Sequence, residues 1–234
     1  MNEVLRPRQL LLALEHAESF AREDFLEGPS NVTALTLVES WPDWPSRIMA
    51  LTGPEGAGKS HLASIWAETS GARRMSARHL TETEVPAALA TGALVLEDLE
   101  PGAFDERALF HLINLTREEQ AFVLVTGREP SANFGVSIPD LSSRLRAIPA
   151  VALQPPSDAL LRLVMVKLAA DRQIALDESV VAFLANRIER SFAAVRAAVA
   201  RLDEESMRRQ RPVTRALASE LFRDAAATMP PAEA

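Results

Sequence analysis

The chain has 234 residues, 47% of them hydrophobic and 24% charged, which is ordinary for a folded globular protein with length for one large domain or two small ones. It has no cysteine, so disulfides and thiolate metal sites are excluded, and its scattered histidines (His16, His61, His79, His111) show no ligand spacing. A formal net charge of −7 argues against DNA binding through a broad basic face; with no stretch approaching a membrane span and no secretion signal at the N-terminus, a cytoplasmic protein is expected.

Residues 1–24 form a leader containing Gln9-Leu10-Leu11-Leu12-Ala13-Leu14. Its pattern admits two readings. An extended peptide would insert leucines into apolar pockets of a partner; the first turns of an amphipathic helix would leave His16, Glu18 and Arg22 polar. Apolar residues then recur with helical spacing from Asn31 to Trp41, closed by Pro42 and Pro45. The apolar strand Ile48–Thr52 runs into Gly53-Pro54-Glu55-Gly56-Ala57-Gly58-Lys59-Ser60, a full match to G-x-x-x-x-G-K-[ST], and a helical pattern follows from His61 to Glu68. Strand, loop and helix are the context this motif requires. Glycines let the backbone curl so that N–H groups face phosphate oxygens, and the helix N-terminus adds partial positive charge. Lys59 would reach the β- and γ-phosphates of ATP or ADP, and the Ser60 hydroxyl would hold magnesium.

A weak strand signal lies at Arg74-Met75. A stronger one, Ala93–Leu96, ends in Glu97-Asp98. Two carboxylates there can put one acid near magnesium, with Ser60, and one near an attacking water. The usual order is Asp then Glu; here Glu97 comes first, and the shorter Asp98 stands where reach to the water matters. A helix fits Asp105–Glu118. The strand Ala121–Thr126 ends in Thr126, which either senses a γ-phosphate or simply terminates the strand. Pro139–Arg146 reads as a short helix. In assembling ATPases this position faces a neighbour's nucleotide, where Arg144 could neutralise a transferring phosphoryl group; the alternative is an ordinary surface arginine. Ile148–Leu153 is the last strand. Apolar strands alternating with helices specify a parallel sheet covered on both faces.

After Pro156 the strand signal stops. Ser157 caps a helix to about Ala170, and others run from Asp177 to about Ile188, Ser191 to about Arg208, and Pro212 to about Arg223. Arg196 stands alone on an apolar stretch, where it faces either a nucleotide phosphate or a carboxylate. The arginines from Arg187 to Arg215 interleave with Glu189, Asp203, Glu204 and Glu205, as on solvated helix faces.

These motifs in this order resemble the AAA+ ATPase family, most closely the branch of the bacterial replication initiator DnaA and its shortened regulatory relative. Asp24–Asn31 resembles the family's entry motif, which brings Asn31 beside the adenine. Leu141-Ser142-Ser143-Arg144-Leu145 resembles the box that carries the arginine finger, and Val195-Arg196 matches the second sensor. The resemblance spans about residues 9–222. It implies a AAA+ nucleotide-binding fold with a parallel five-stranded sheet flanked by helices, followed by a small all-helical lid. The domains would be a leader at 1–24, the α/β domain at 25–155, the lid at 156–223 and a tail at 224–234. Nothing of domain size follows Phe222, so the initiator's helix-turn-helix domain is expected to be lacking, with no sequence-specific DNA binding.

The resemblance also turns the leader toward the extended reading, because Gln9, Leu10, Leu12 and Leu14 occupy the fixed positions of a motif that binds the DNA polymerase sliding clamp. The implied function is regulatory: docked on DNA-loaded clamp, the chain would use Arg144 to stimulate hydrolysis of DnaA-bound ATP and prevent re-initiation, at the nucleoid. A homodimer is left open, as are ADP against ATP in the chain's own loop and the role of His61 beside it. Glu97-Asp98, and Arg128 at an initiator's acidic sensor position, imply weak intrinsic hydrolysis. Three rival readings are a helicase-loader or transposition-helper ATPase, a small-metabolite kinase, and an adaptor that has lost its nucleotide response.

Overall fold

The structure, a computed structural model, describes residues 20–223; the leader motif Gln9–Leu14 lies outside the described residues. The strands β1 (Ile48–Thr52), β2 (Arg73–Ser76), β3 (Ala93–Glu97), β4 (Phe122–Gly127) and β5 (Ala150–Ala152) form one sheet in the order β2-β3-β4-β1-β5. Every pairing is parallel. All strand C-termini therefore lie at one edge of the sheet, which is where ligands bind in open α/β folds.

The alternation of side chains along a strand divides the core. Ile48 and Ala50 of β1 point to one face, packed with Leu94, Leu96, Val123 and Val125 against α3 (Val85–Ala88), α4 (Glu106–Glu118) and α5 (Pro139–Arg146). Met49 and Leu51 point to the other, with Val95 and Leu124 against α1 (Val32–Glu39) and α2 (Lys59–Ser70). Trp66 of α2 is fully buried there, stacked on Trp44 at 4.9 Å.

The lid comprises α6 (Asp158–Asp171), α7 (Glu178–Ala185), α8 (Phe192–Arg209) and α9 (Arg215–Leu221), with its own core around Met165, Val180, Val195 and Leu202. Local chemistry starts three of these helices. Ser157 accepts from the Leu160 amide, Ser191 from Ala194 and Thr214 from Leu217, each satisfying one otherwise unpartnered N–H. Asp105 does the same for α4.

Some boundaries differ from the sequence reading. Helix α2 begins at Lys59 rather than His61, because the left-handed Gly58 (φ 101°) ends the loop directly before it. Helix α7 ends at Ala185, three residues short of Ile188. The last strand contracts to Ala150–Ala152, since Ile148 and Leu153 lie beyond its register with β1.

Candidate nucleotide site

The phosphate loop joins β1 to α2 at the C-terminal edge of the sheet, and its glycines are required by both torsion and space. Gly53 has φ 142°, and a Cβ there would lie 2.4 Å from the Leu153 carbonyl oxygen. Gly56 has φ 72°, and its Cβ would lie 2.4 Å from the Cβ of Ser191. The second contact joins the loop to the lid, and the Phe192 amide reinforces it by donating to the Gly56 carbonyl at 3.2 Å. The head of α8 thus rests on the phosphate loop itself.

Lys59 folds over the loop, donating to the carbonyls of Gly53 at 2.7 Å and Pro54 at 2.8 Å. These are bonds that phosphate oxygens can replace. Burial pushes its ammonium below the usual lysine value, although Glu100 and Asp98 pull the other way. Ser60 follows on the first turn of α2.

Beside the loop is a cavity of about 610 Å³ between the 20–26 segment, α2, α6 and α8, lined by Phe20, Phe25, Ser60, His61, Lys167 and Arg196 among others. Its volume falls within the range of small-molecule sites. His61 contributes Nε2 at 3.0 Å from the Ala21 carbonyl, a distance at which Nε2–H donates. Its ring meets Phe20 and Phe25 edge-on at 5.4 and 5.1 Å. Burial lowers the His61 pKa, so the neutral ring is favoured. Arg196 reaches in from α8, its guanidinium carbon 5.9 Å from the centre of the Phe20 ring.

Across the cavity Lys167 bonds Asp24 and, at 3.0 Å, Asp171. Burial opposes its charge, but the two carboxylates outweigh that and hold it above the usual lysine value. The ion pair Lys167–Asp24 ties the entry segment to the lid, a tie that sequence reading missed.

Asn31 stands one step back from the cavity. Its carbonyl oxygen accepts from the Gly28 amide at 2.9 Å and its amide donates to the Leu26 carbonyl at 3.0 Å. Buried and doubly bonded, it fixes the 26–31 turn that carries the cavity wall.

The acidic pair separates. Glu97 accepts from Arg74 at 2.8 Å, and the same guanidinium donates to the Ser64 hydroxyl of α2 at 2.7 Å. Asp98 adopts a left-handed φ of 57°, and its amide donates to Thr126 Oγ1 at 3.2 Å. Thr126 is buried and holds the turn after β3, since its carbonyl also accepts from Leu99 at 2.8 Å. Arg128 pairs with Glu55 of the loop at 3.0 Å, while its amide donates to Glu100. Arg74 was read only as part of a weak strand; its pairing with Glu97 spans two strands and leaves no local signal.

Ser60 and Glu97 are hard oxygen donors on the face toward α2, the donor chemistry magnesium takes when a nucleotide's phosphates complete its shell. Among the described residues no group of three His, Cys, Asp or Glu gathers to hold a metal unaided.

Arg144 is remote from this site. It lines a separate cavity of about 180 Å³ with Ser46, Arg47 and Ile48. Ile48 is the first residue of β1, whereas the phosphate loop follows the last, so Arg144 stands at the opposite edge of the sheet. Four steps of about 3.3 Å separate those edges by roughly 13 Å.

A phosphate-loop sequence at the C-terminal edge of a β2-β3-β4-β1-β5 parallel sheet, roofed by a helical lid that touches the loop, is the architecture of the AAA+ P-loop fold. Residues 158–220 match the family model described as Hda, lid domain. The fold matches domain III of the DnaA replication initiation protein of Thermotoga maritima with TM-score 0.70 and 18% identity, over 88% of this chain and 97% of that one. It matches AMPPCP-bound DnaA from Aquifex aeolicus with TM-score 0.61 and 17% identity, over 80% and 67%. It also matches the Thermotoga maritima RuvB Holliday junction branch migration motor with TM-score 0.70 and 16% identity, over 88% and 72%. At these identities the likeness is one of fold. Residues 158–220 are therefore similar to an Hda-type lid, and the chain as a whole has the fold of these AAA+ structures.

Proposed function

We propose that this chain restrains replication initiation by stimulating hydrolysis of ATP held by DnaA, with Arg144 as the arginine finger offered to that nucleotide. The observation that carries the reading is that Arg144, half-buried at the N-terminal edge of the sheet, is remote from the chain's own phosphate loop, in a chain with an Hda-type lid. An arginine so remote serves no phosphate bound in cis and is available to one presented by a partner.

In this reading the chain's own loop binds ADP or ATP with Gly53–Ser60, and Arg196 reads the phosphates from the lid. A magnesium ion held through Ser60 and Glu97 would supply charge neutralisation there. The nucleotide joins loop and lid and so sets the shape of the module. Turnover in cis is slow: Glu97 is engaged by Arg74 and Arg128 by Glu55. Gln9, Leu10, Leu12 and Leu14 bind the DNA-loaded sliding clamp, which brings the chain to the replicated DNA without sequence-specific contacts of its own.

The test is hydrolysis of ATP preloaded on DnaA, with and without DNA-loaded clamp, comparing wild type with Arg144→Ala. Clamp-dependent stimulation that falls by roughly 10³-fold or to background in the variant is expected for a trans-acting arginine. Equal stimulation by both proteins refutes the finger. Robust ATPase activity of the isolated chain, abolished by Lys59→Ala, refutes slow turnover in cis.

A further inference from the structure

Helix α5, which carries Arg144 in its last turn, starts without a cap of its own. Its N-cap residue Ile138 brings no side-chain hydrogen bond, and the first helical residue is Pro139, which has no N–H. The acceptor at this point comes from another helix. The Ser137 amide donates to both carboxylate oxygens of Glu106 at 2.9 Å, the Ser137 hydroxyl to Oε1 at 3.1 Å and the Ile138 amide to Oε2 at 3.1 Å. Glu106 is the first residue of α4, but Asp105 already caps that helix by accepting from the amides of Arg107 and Ala108. Its carboxylate therefore serves the head of α5. These donors, the Ser137 amide foremost, hold the Glu106 carboxyl below the usual carboxylate value, so it is charged at neutral pH.

The rest of α5 is held differently. Leu141 and Leu145 are buried in the core on that side of the sheet, and the Ser131 hydroxyl donates to the Leu145 carbonyl at 3.2 Å. Burial of two leucines is non-directional and sets the depth of the helix more than its roll. The Arg144 guanidinium carbon lies 5.0 Å from the centre of the Phe110 ring of α4. Phe110 stands one turn beyond Glu106, so the same face of α4 meets α5 at its head and in its last turn. Among the described residues Arg144 forms no ion pair that would fix it independently of α5.

We propose that Glu106 is a positioning residue for Arg144: by pinning the head of α5 it fixes the roll of that helix, and so the place at which the guanidinium is presented to a partner. The proposal rests on the reading of Arg144 as a finger for DnaA-bound ATP. A roll of about 20° carries a side-chain tip about 5–6 Å from a helix axis through about 2 Å. A misplacement of about 1 Å costs about 10²-fold in rate where geometry limits the reaction.

The test reads the free protein and the reaction separately. Arg144 lies in the ring current of Phe110, so its side-chain resonances, assigned by their absence in Arg144→Ala, report its place by NMR. Full-length wild type, Glu106→Ala and the shape-keeping Glu106→Gln are compared, their folding verified by thermal melting. Both variants should move the Arg144 resonances toward those of a free arginine side chain. In hydrolysis of DnaA-bound ATP the maximal rate should fall roughly tenfold to a hundredfold, while the concentration for half-maximal stimulation stays within about twofold. Glu106→Ala combined with Arg144→Ala should be no slower than Arg144→Ala alone, because the pin acts through the arginine. An additive loss, or an unchanged maximal rate in Glu106→Ala beside a loss in Arg144→Ala, overturns the proposal. Unmoved Arg144 resonances in both variants overturn it too. If wild type stimulates no hydrolysis, the finger reading fails on its own account, and the resonances still decide whether Glu106 sets the place of Arg144.

Discussion

Replacing Gly56 with alanine should uncouple the lid from the phosphate loop. The glycine sits at φ 72°, and an added Cβ would lie 2.4 Å from Ser191 Cβ and 3.2 Å from its Oγ. Left-handed backbone costs a non-glycine residue about 1–2 kcal/mol. The carbon contact falls more than about 1 Å inside the attractive range, so Ser191 cannot stay where it is. Moving it also breaks the Phe192–Gly56 hydrogen bond of 3.2 Å, worth about 0.5–1.5 kcal/mol. Without nucleotide the lid can swing off and relieve the clash. Nucleotide held by both loop and lid forbids that relief, so about 2–3 kcal/mol, a roughly 30- to 150-fold loss, should appear in affinity. Titration of a fluorescent ADP measures it. In the double variant with Ser191→Gly the obstructing Cβ is gone at little cost to the cap, and the clash component should return while the torsional part persists. Wild-type affinity in Gly56→Ala, or no recovery in the double variant, would refute the idea that the lid reads the loop through this contact.

Thr126→Val removes the acceptor of the Asp98 amide; a stability loss of about 1–2 kcal/mol in urea unfolding is expected, and an unchanged midpoint would show that the turn after β3 does not need this bond. Arg74→Ala releases the Glu97 carboxylate from its 2.8 Å ion pair and should make nucleotide binding more dependent on magnesium; the ratio of ADP affinities with and without the ion, identical in variant and wild type, would exclude Arg74 as a restraint on Glu97. His61 has a folded pKa below its unfolded value because of burial, so as pH falls through about 6.5 the unfolded chain takes up the proton first and stability declines, levelling below the folded pKa. His61→Gln should remove that part of the slope in melts between about pH 7 and about pH 5; an unchanged slope would assign it elsewhere.

What could be read from the sequence is what local pattern controls. The runs Ile48–Thr52, Ala93–Glu97 and Phe122–Gly127 are apolar because they are covered on both faces, and caps such as Ser157 and Ser191 act within three residues. The strand β2 left only a weak trace because it is an edge strand of sequence RRMS, half exposed. Its residue Arg74 matters through Ser64 and Glu97, ten and twenty-three positions away. The same limit hid the Gly56–Ser191 contact and the Lys167–Asp24 tie. Each depends on how separate elements meet, which no window of the sequence encodes. Asn31 shows the converse: its position was legible, but not that its buried amide is spent on the turn rather than free for a ligand.

The phosphate loop and the edge that carries Arg144 share β1. Thr52 leads into the phosphate loop, and Ile48 lines the arginine cavity. A strand of five residues, buried throughout and paired on both sides, is too stiff to carry a graded signal between them. The lid offers a better route for the chain's own nucleotide to matter, because its contacts with the loop through Ser191 and Phe192, and with the entry segment through Lys167, can be made or broken as units. Nucleotide in cis would then govern how the lid meets other molecules, while the arginine edge stays preformed. This predicts that Gly56→Ala, which disturbs the lid, leaves amide hydrogen exchange in β1 and α5 unchanged. Faster exchange there in that variant would show instead that the sheet couples the two ends.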